Sequence, residues 1–221
     1  MKLVFYGGGD EEDNYQLDTL LIKNLCNKRK IKMTFIPSSS YMSHLDFREF
    51  VFQYQAHNVE RFIHFPIDVH FTEVLKKEAF SADIIHLSGG NTYYFLQSLK
   101  KAKLFKDLKA FIKRGGILTG LSAGAIIMTP EINTAGFPPF DCDENEDNIT
   151  NLSSLNLVDF EFFPHYKNSK RYDEHLLAYS LQTKRKIYAS PDGNGVIIDN
   201  NDTTFCGRNY IFYQGKKIVV K

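Results

Sequence analysis

Apolar positions along this chain fall into two kinds of segment. In the first they form short runs, as in Leu3–Tyr6, Lys32–Ile36, Arg61–Phe65, Asp83–Leu87 and Gly116–Thr119. Runs of this length, bounded by turn residues, predict strands buried on both faces. In the second, apolar residues recur every three or four positions. Leu17, Leu20, Leu21 and Leu25 share one helical face, and Phe47–His57, Phe71–Ala79, Thr92–Leu99 and Leu104–Arg114 have the same spacing. Ala123–Met128 opens another helix directly after the fifth strand. Alternation of this kind predicts an α/β fold, with a mostly parallel sheet covered on both faces. Ligands of such sheets bind beyond the carboxyl ends of the strands. The loops Gly7–Asp13, Pro37–Tyr41, Ser88–Thr92 and Gly120–Gly124 are therefore where a site is expected.

The pattern changes after Met128. Residues Thr129–Asn156 hold Pro, Gly, Asn and the acids Asp141, Asp143, Glu144, Glu146 and Asp147, and read as a long loop near the site. Phe160–Phe163 is a short aromatic strand that stops at Pro164-His165, and a helix is expected around Tyr172–Gln182. Val196–Ile198, Thr203–Cys206, Tyr210–Tyr213 and Ile218–Val220 are strand-like, with turns at Asp192-Gly193, Asn200-Asn201 and Gln214-Gly215. They predict a C-terminal antiparallel meander. With no repeat and no low-complexity linker, residues 1–221 are expected to form one catalytic domain.

Composition narrows the function. There are 27 basic and 26 acidic residues, a net charge of +1. That balance argues against nucleic acid as a partner, since phosphate binding needs a basic surface. The apolar run at the N-terminus is too short for a signal peptide and no membrane-length segment follows, so a cytoplasmic location away from membranes is expected. Cys26, Cys142 and Cys206 have no metal-like spacing, and their odd number fits reduced thiols. Neither a metal nor another cofactor is expected.

Gly120-Leu121-Ser122-Ala123-Gly124 matches G-x-S-x-G between a predicted strand and a predicted helix. A nucleophile must stand clear of the sheet on a tight turn, and small neighbours let other chains approach. The helix that follows turns N–H groups toward a developing oxyanion. Ser122 is thus the candidate nucleophile. Ser88-Gly89-Gly90-Asn91-Thr92 is a second glycine-rich strand end, whose backbone N–H groups suit a ligand. The amides of Gly90 and Ala123 are the candidate oxyanion donors, with Gly89 and Asn91 beside the substrate. A serine hydroxyl needs a base. Of the seven histidines, only His165 combines a strand-end position with a place after the serine in the chain.

Taken together, Ser88–Thr92, Gly120-Leu-Ser-Ala-Gly-Ala125 and Pro164-His165-Tyr166 resemble the peptidase family that contains aspartyl dipeptidase (peptidase E) and, more distantly, cyanophycinase. The resemblance runs from Tyr6-Gly-Gly-Gly9 to Ser190-Pro-Asp-Gly-Asn194. It implies a three-layer α/β/α fold of the flavodoxin-like or class-I glutamine-amidotransferase-like kind and metal-free serine peptidase chemistry. It also implies Ser122 as nucleophile, His165 as base, and dipeptides with an N-terminal aspartate as substrates. The family pattern has an acid on the loop after the serine helix, where this chain reads Ala135-Gly136-Phe137-Pro138. Asp141, a few residues on, is taken as the third member of the triad ahead of Glu131, Asp143, Glu144 and Glu174. Arg171, downstream of His165, is expected to hold the substrate aspartate. A cyanophycinase-like exopeptidase, another acyl hydrolase, and a site that binds without turnover stay open as alternatives. A monomer or homodimer is expected.

Overall fold

The computed structural model describes residues 1–57 and 59–221. Its strands are β1 (Lys2–Tyr6), β2 (Ile31–Ile36), β3 (Val59–His64), β4 (Ile84–Leu87), β5 (Ile117–Leu121), β6 (Glu161–Phe163), β7 (Ile187–Ala189), β8 (Gly195–Asp199), β9 (Asp202–Cys206), β10 (Asn209–Tyr213) and β11 (Lys216–Val220). The helices are α1 (Glu11–Thr19), which continues as π-helical turns over Leu20–Cys26, then α2 (Ser43–Gln55), α3 (Glu73–Phe80), α4 (Thr92–Lys101), α5 (Phe105–Lys113), α6 (Ala123–Ile127) and α7 (Lys170–Ser180).

The first five strands lie parallel in the order β3-β2-β4-β5-β1. Their side chains alternate between two cores. Leu3, Phe5, Ile85 and Leu118 pack with Leu96, Leu99, Leu108 and Phe111 of α4 and α5. Val4, Tyr6, Ile84 and Ile117 pack with Leu17, Leu21, Phe50 and Tyr54 on the opposite face. This alternation is why the strands read as unbroken apolar runs, and it makes the fold a three-layer α/β/α sandwich. No helix among the described residues is long and apolar enough to cross a membrane.

The C-terminal strands form where the pattern puts them, but not as one meander. β8 and β9 extend the large sheet antiparallel beyond β1, while β10 and β11 join β7 and β6 in a separate sheet of order β11-β10-β7-β6. Asn209 makes this division possible. It is fully buried, its Nδ2 donates to Cys206 O at 2.9 Å, and its Oδ1 accepts from Ser190 Oγ at 2.6 Å. Backbone groups that a continuous ladder would have paired are satisfied by this side chain as the chain leaves one sheet for the other. The smaller sheet rests on Tyr166, Tyr172 and Leu176, and Phe162 reaches back to Phe5 with ring centroids 5.4 Å apart.

His86 stands inside β4, 5 % exposed, its Nδ1 2.8 Å from Thr119 Oγ1. Burial pushes its pKa down to about 3. Between that value and the unfolded value near 6.5 the unfolded chain binds a proton that the folded chain refuses, so stability falls on acidification. The expected slope from this residue is about 1.4 kcal/mol per pH unit below pH 6. Denaturant unfolding of the parent and of His86→Gln across pH 4–7 measures it; equal slopes in the two proteins would contradict the assignment.

Candidate active site

The carboxyl ends of β1, β4 and β5, together with the loops after β6 and β7, converge on one point. Ser122 follows β5 with φ 50° and ψ −110°, a conformation rarely adopted by a residue with a side chain. The turn is held from both sides. Ser122 N–H donates to Tyr6 O at 3.2 Å, and its own carbonyl accepts from Ala125 and Ile126 at the start of α6. A Cβ on Gly124 would stand 2.2 Å from Leu87 O, so only glycine lets α6 lie this close to β4. The amides of Gly90 and Ala123 donate to no acceptor among the described residues. Ala123 is the first residue of its helix, where N–H groups lack intrahelical partners.

His165 also has positive φ, 52°, and its N–H donates to Gly7 O at 2.6 Å. Its Nε2 is 2.8 Å from Ser122 Oγ, and its Nδ1 is 2.7 Å from Asp192 Oδ1. A carboxylate only accepts, which assigns the proton to Nδ1 and leaves Nε2 free to accept from the serine hydroxyl. The pairing arises from the smaller sheet. β6 and β7 are parallel with Phe163 opposite Ala189, so the segments that leave their carboxyl ends run side by side. Ser190 N–H donates to Phe163 O and Tyr166 N–H to Ser190 O, which fixes His165 against Asp192.

The Gly7–Gly9 turn after β1 closes over this pair. Gly193 N–H donates to Gly8 O at 3.0 Å. A Cβ on Gly8 would stand 2.1 Å from Asp192 Oδ1 and 2.3 Å from the His165 ring. Gly8→Ala is therefore expected to displace the imidazole and lower kcat/KM by about a hundredfold, the usual effect of a displacement near 1 Å. Steady-state kinetics on any cleaved peptide checks this, and activity within twofold of the parent would refute the crowding argument.

The expected third member of the triad lies elsewhere. Asp141 accepts a hydrogen bond from the Tyr172 hydroxyl and makes none to His165. Burial, then Asp141, push the Tyr172 pKa up to about 12. The other acids considered are also occupied or remote. Asp143 accepts from Thr92 N–H at 2.7 Å, Glu131 from Asn133 at 3.0 Å, and Glu174 is exposed on α7. Asn91 acts as the cap of α4, accepting from Tyr94 N–H at 2.9 Å and donating to Glu144 O. Arg171 is exposed, its guanidinium 3.4 Å from the Phe140 ring centroid. Asp192 is the residue that sequence reasoning passed over, having been read as the first half of an Asp-Gly turn.

A cavity of about 1090 Å³ adjoins the Ser122 turn, lined on that side by Ser88, Gly89, Gly90 and Leu121. Its inner wall includes Tyr6, Phe35, Phe50 and His86. Tyr6 and Tyr54 donate to the buried Asp18 at 2.7 and 2.8 Å, which ties α1 and α2 to the end of β1. Among the described residues there is no group of three or more His, Cys, Asp or Glu side chains that could hold a metal ion.

A model of peptidase family S51 matches residues 3–206. An uncharacterized peptidase of Listeria monocytogenes is 33% identical over 141 residues, which is 63% of this chain and 60% of the relative. Peptidase E of Escherichia coli is 28% identical over 152 residues, 63% of this chain and 62% of that protein. The chain thus matches about 60% of the length of these relatives. A 1.5 Å crystal structure of a candidate peptidase E protein from Listeria monocytogenes superposes with a TM-score of 0.72 at 25% identity, covering 92% of this chain and 96% of that one. A peptidase from an acI-B1 actinobacterium shares the fold, with a TM-score of 0.71 at 16% identity, covering 100% of this chain and 93% of that one.

Proposed function

The chain belongs to peptidase family S51, and from that premise we propose that it hydrolyses small peptides with Ser122 as nucleophile, His165 as general base and Asp192 as the acid that orients the histidine. The observation that carries this reading is the hydrogen-bonded series from Ser122 Oγ through His165 to Asp192, at 2.8 and 2.7 Å. His165 Nε2 takes the hydroxyl proton as Oγ attacks the peptide carbonyl carbon. The carbonyl π electrons move to oxygen, and the oxyanion is received by the free amides of Gly90 and Ala123. Each such donor lowers the barrier by about 3–4 kcal/mol. The imidazolium, stabilised by Asp192, gives its proton to the leaving amine as the C–N bond breaks. Water then attacks the acyl carbon, with His165 again accepting a proton; as the intermediate collapses the C–Oγ bond breaks, the imidazolium returns the proton to Ser122 Oγ, and the acid product leaves.

The family resemblance extends the proposal to dipeptides with an N-terminal aspartate, a specificity that requires a cation in reach of the substrate carboxylate. Arg171, stacked on Phe140, is the candidate from chain order, and Arg48 is the cation that lines the cavity. The experiment has two parts. A fluorophosphonate should label Ser122 and stop hydrolysis, since only an activated serine reacts. A dipeptide panel then reads the preference. Absence of both labelling and turnover would defeat the hydrolase reading in favour of a binding protein.

A further inference from the structure

We propose that Ser88 is a positioning residue of the oxyanion hole, its hydroxyl holding the Gly89–Gly90 peptide with the Gly90 N–H turned toward Ser122. This rests on the hydrolase reading, which supplies the oxyanion, and it names what keeps one of the two donors aimed. Ser88 follows β4, and its backbone is fixed on both sides. Its N–H donates to Ile36 O at 3.0 Å, and its carbonyl accepts from Gly124 N–H at 3.0 Å. Three residues on, Asn91 is fixed as the cap of α4 and by its bond to Glu144 O. The peptide between Gly89 and Gly90 spans these two fixed points, and no Cβ on either side resists its rotation. Nor can a larger residue stiffen it. Gly90 has φ 124°, and a Cβ there would stand 2.1 Å from Ser38 Oγ.

The Ser88 side chain selects one orientation of that peptide. Its Oγ lies 2.7 Å from Ser38 N and 2.8 Å from Gly89 O. A backbone N–H only donates, so the hydroxyl oxygen accepts from Ser38 and its single proton is left for Gly89 O. Ser88 is buried, so water competes little for this bond. The bond draws the Gly89 carbonyl toward the loop after β2. In a planar trans peptide the N–H points the opposite way from the C=O, so the Gly90 N–H is turned away from β2. β4 lies between β2 and β5, and away from β2 is therefore toward the Ser122 turn. A Cβ on Gly89 would stand 3.6 Å from Ser122 Cβ, which puts this peptide beside the nucleophile. Rotated by half a turn, the same peptide would present the Gly89 carbonyl oxygen to the developing oxyanion, and repulsion would replace a hydrogen bond. The bond to Ser38 by itself satisfies a backbone N–H. The bond to Gly89 O is the one that reaches the chemistry.

The test compares the parent with Ser88→Ala and Ser88→Thr. It uses the best-cleaved dipeptide of the panel and a fluorophosphonate, whose phosphoryl oxygen occupies the same hole. Labelling carried to completion counts the folded sites, so that rates are read per site. Ser88→Ala should lose about a hundredfold in kcat and in the labelling rate constant, the lower end of the range for removing one oxyanion donor, with KM within about twofold. Ser88→Thr keeps the hydroxyl and should recover most of both rates. The pH profile of kcat/KM should keep its shape in both variants, since His165 and Asp192 are untouched. Parental rates in Ser88→Ala overturn the proposal. A loss that appears as a raised KM, as fewer labelled sites or as an altered pH profile overturns it too, each being the mark of a general disturbance, and so does a loss that threonine fails to repair. A parent that neither labels nor hydrolyses removes the hydrolase reading itself. A parent that does both, beside an unimpaired Ser88→Ala, removes only the role of Ser88.

Discussion

Ser122→Ala should lower kcat for peptide hydrolysis by about a millionfold, because a triad acts as a unit and little remains when its nucleophile is gone. Folding should be preserved. The Ser122 side chain makes one hydrogen bond, to His165, and alanine at φ 50° bears the same backbone strain as serine. The expected result is a thermal midpoint close to that of the parent, no reaction with fluorophosphonate, and a residual rate set by the free amides of Gly90 and Ala123. Kinetics with an active-site titration of both proteins gives the answer. A variant that keeps a tenth of the parental activity would remove Ser122 from the mechanism, whatever the elbow looks like.

Asp192→Asn is expected to cost about 10⁴-fold in kcat with little change in KM. An asparagine keeps the shape of the aspartate but offers an NH₂ that can donate to Nδ1. The histidine proton then moves to Nε2, which faces Ser122 and can no longer accept from it. The comparison that matters is Asp141→Asn. That residue binds the Tyr172 hydroxyl on the far end of the loop, so its loss should leave kcat within about twofold. If Asp141→Asn were the crippled enzyme and Asp192→Asn the active one, the assignment of the third residue would be reversed.

These two aspartates mark the limit of what the sequence discloses. Ser122 is legible because its signal is local: small residues, a strand before it and a helix after it, all within a few positions. The same holds for the parallel sheet, whose strands announce themselves by being apolar on both faces. His165 is legible from chain order and from Pro164 ending a strand. Asp192 has no comparable signature. Its neighbours Ser190-Pro191 and Gly193 look like any turn, and its place beside His165 depends on β6 and β7 lying parallel with Phe163 opposite Ala189. Pairing of strands 24 residues apart (163 to 187 along the chain) leaves no mark on either strand. Asp141 drew attention instead because it lies near the loop where the family pattern has its acid. The split of the C-terminal strands escaped notice for a related reason. Asn209 carries no signal in the sequence, and only the folded chain makes it a buried bridge between two sheets.

The turn at Gly7–Gly9 has a consequence for biosynthesis. It follows the first strand, yet it contacts His165 and Gly193, residues synthesised more than 150 positions later. Ser122 emerges from the ribosome well before His165 and Asp192, its proposed base and acid. During that interval the proposed nucleophile is an ordinary alcohol without a base beside it. Many hydrolases are kept silent by a segment that must later be removed. On the mechanism proposed above, the order in which the parts are made performs the same service, since Ser122 meets its base and its acid only when the opening turn has closed on the loops after β6 and β7.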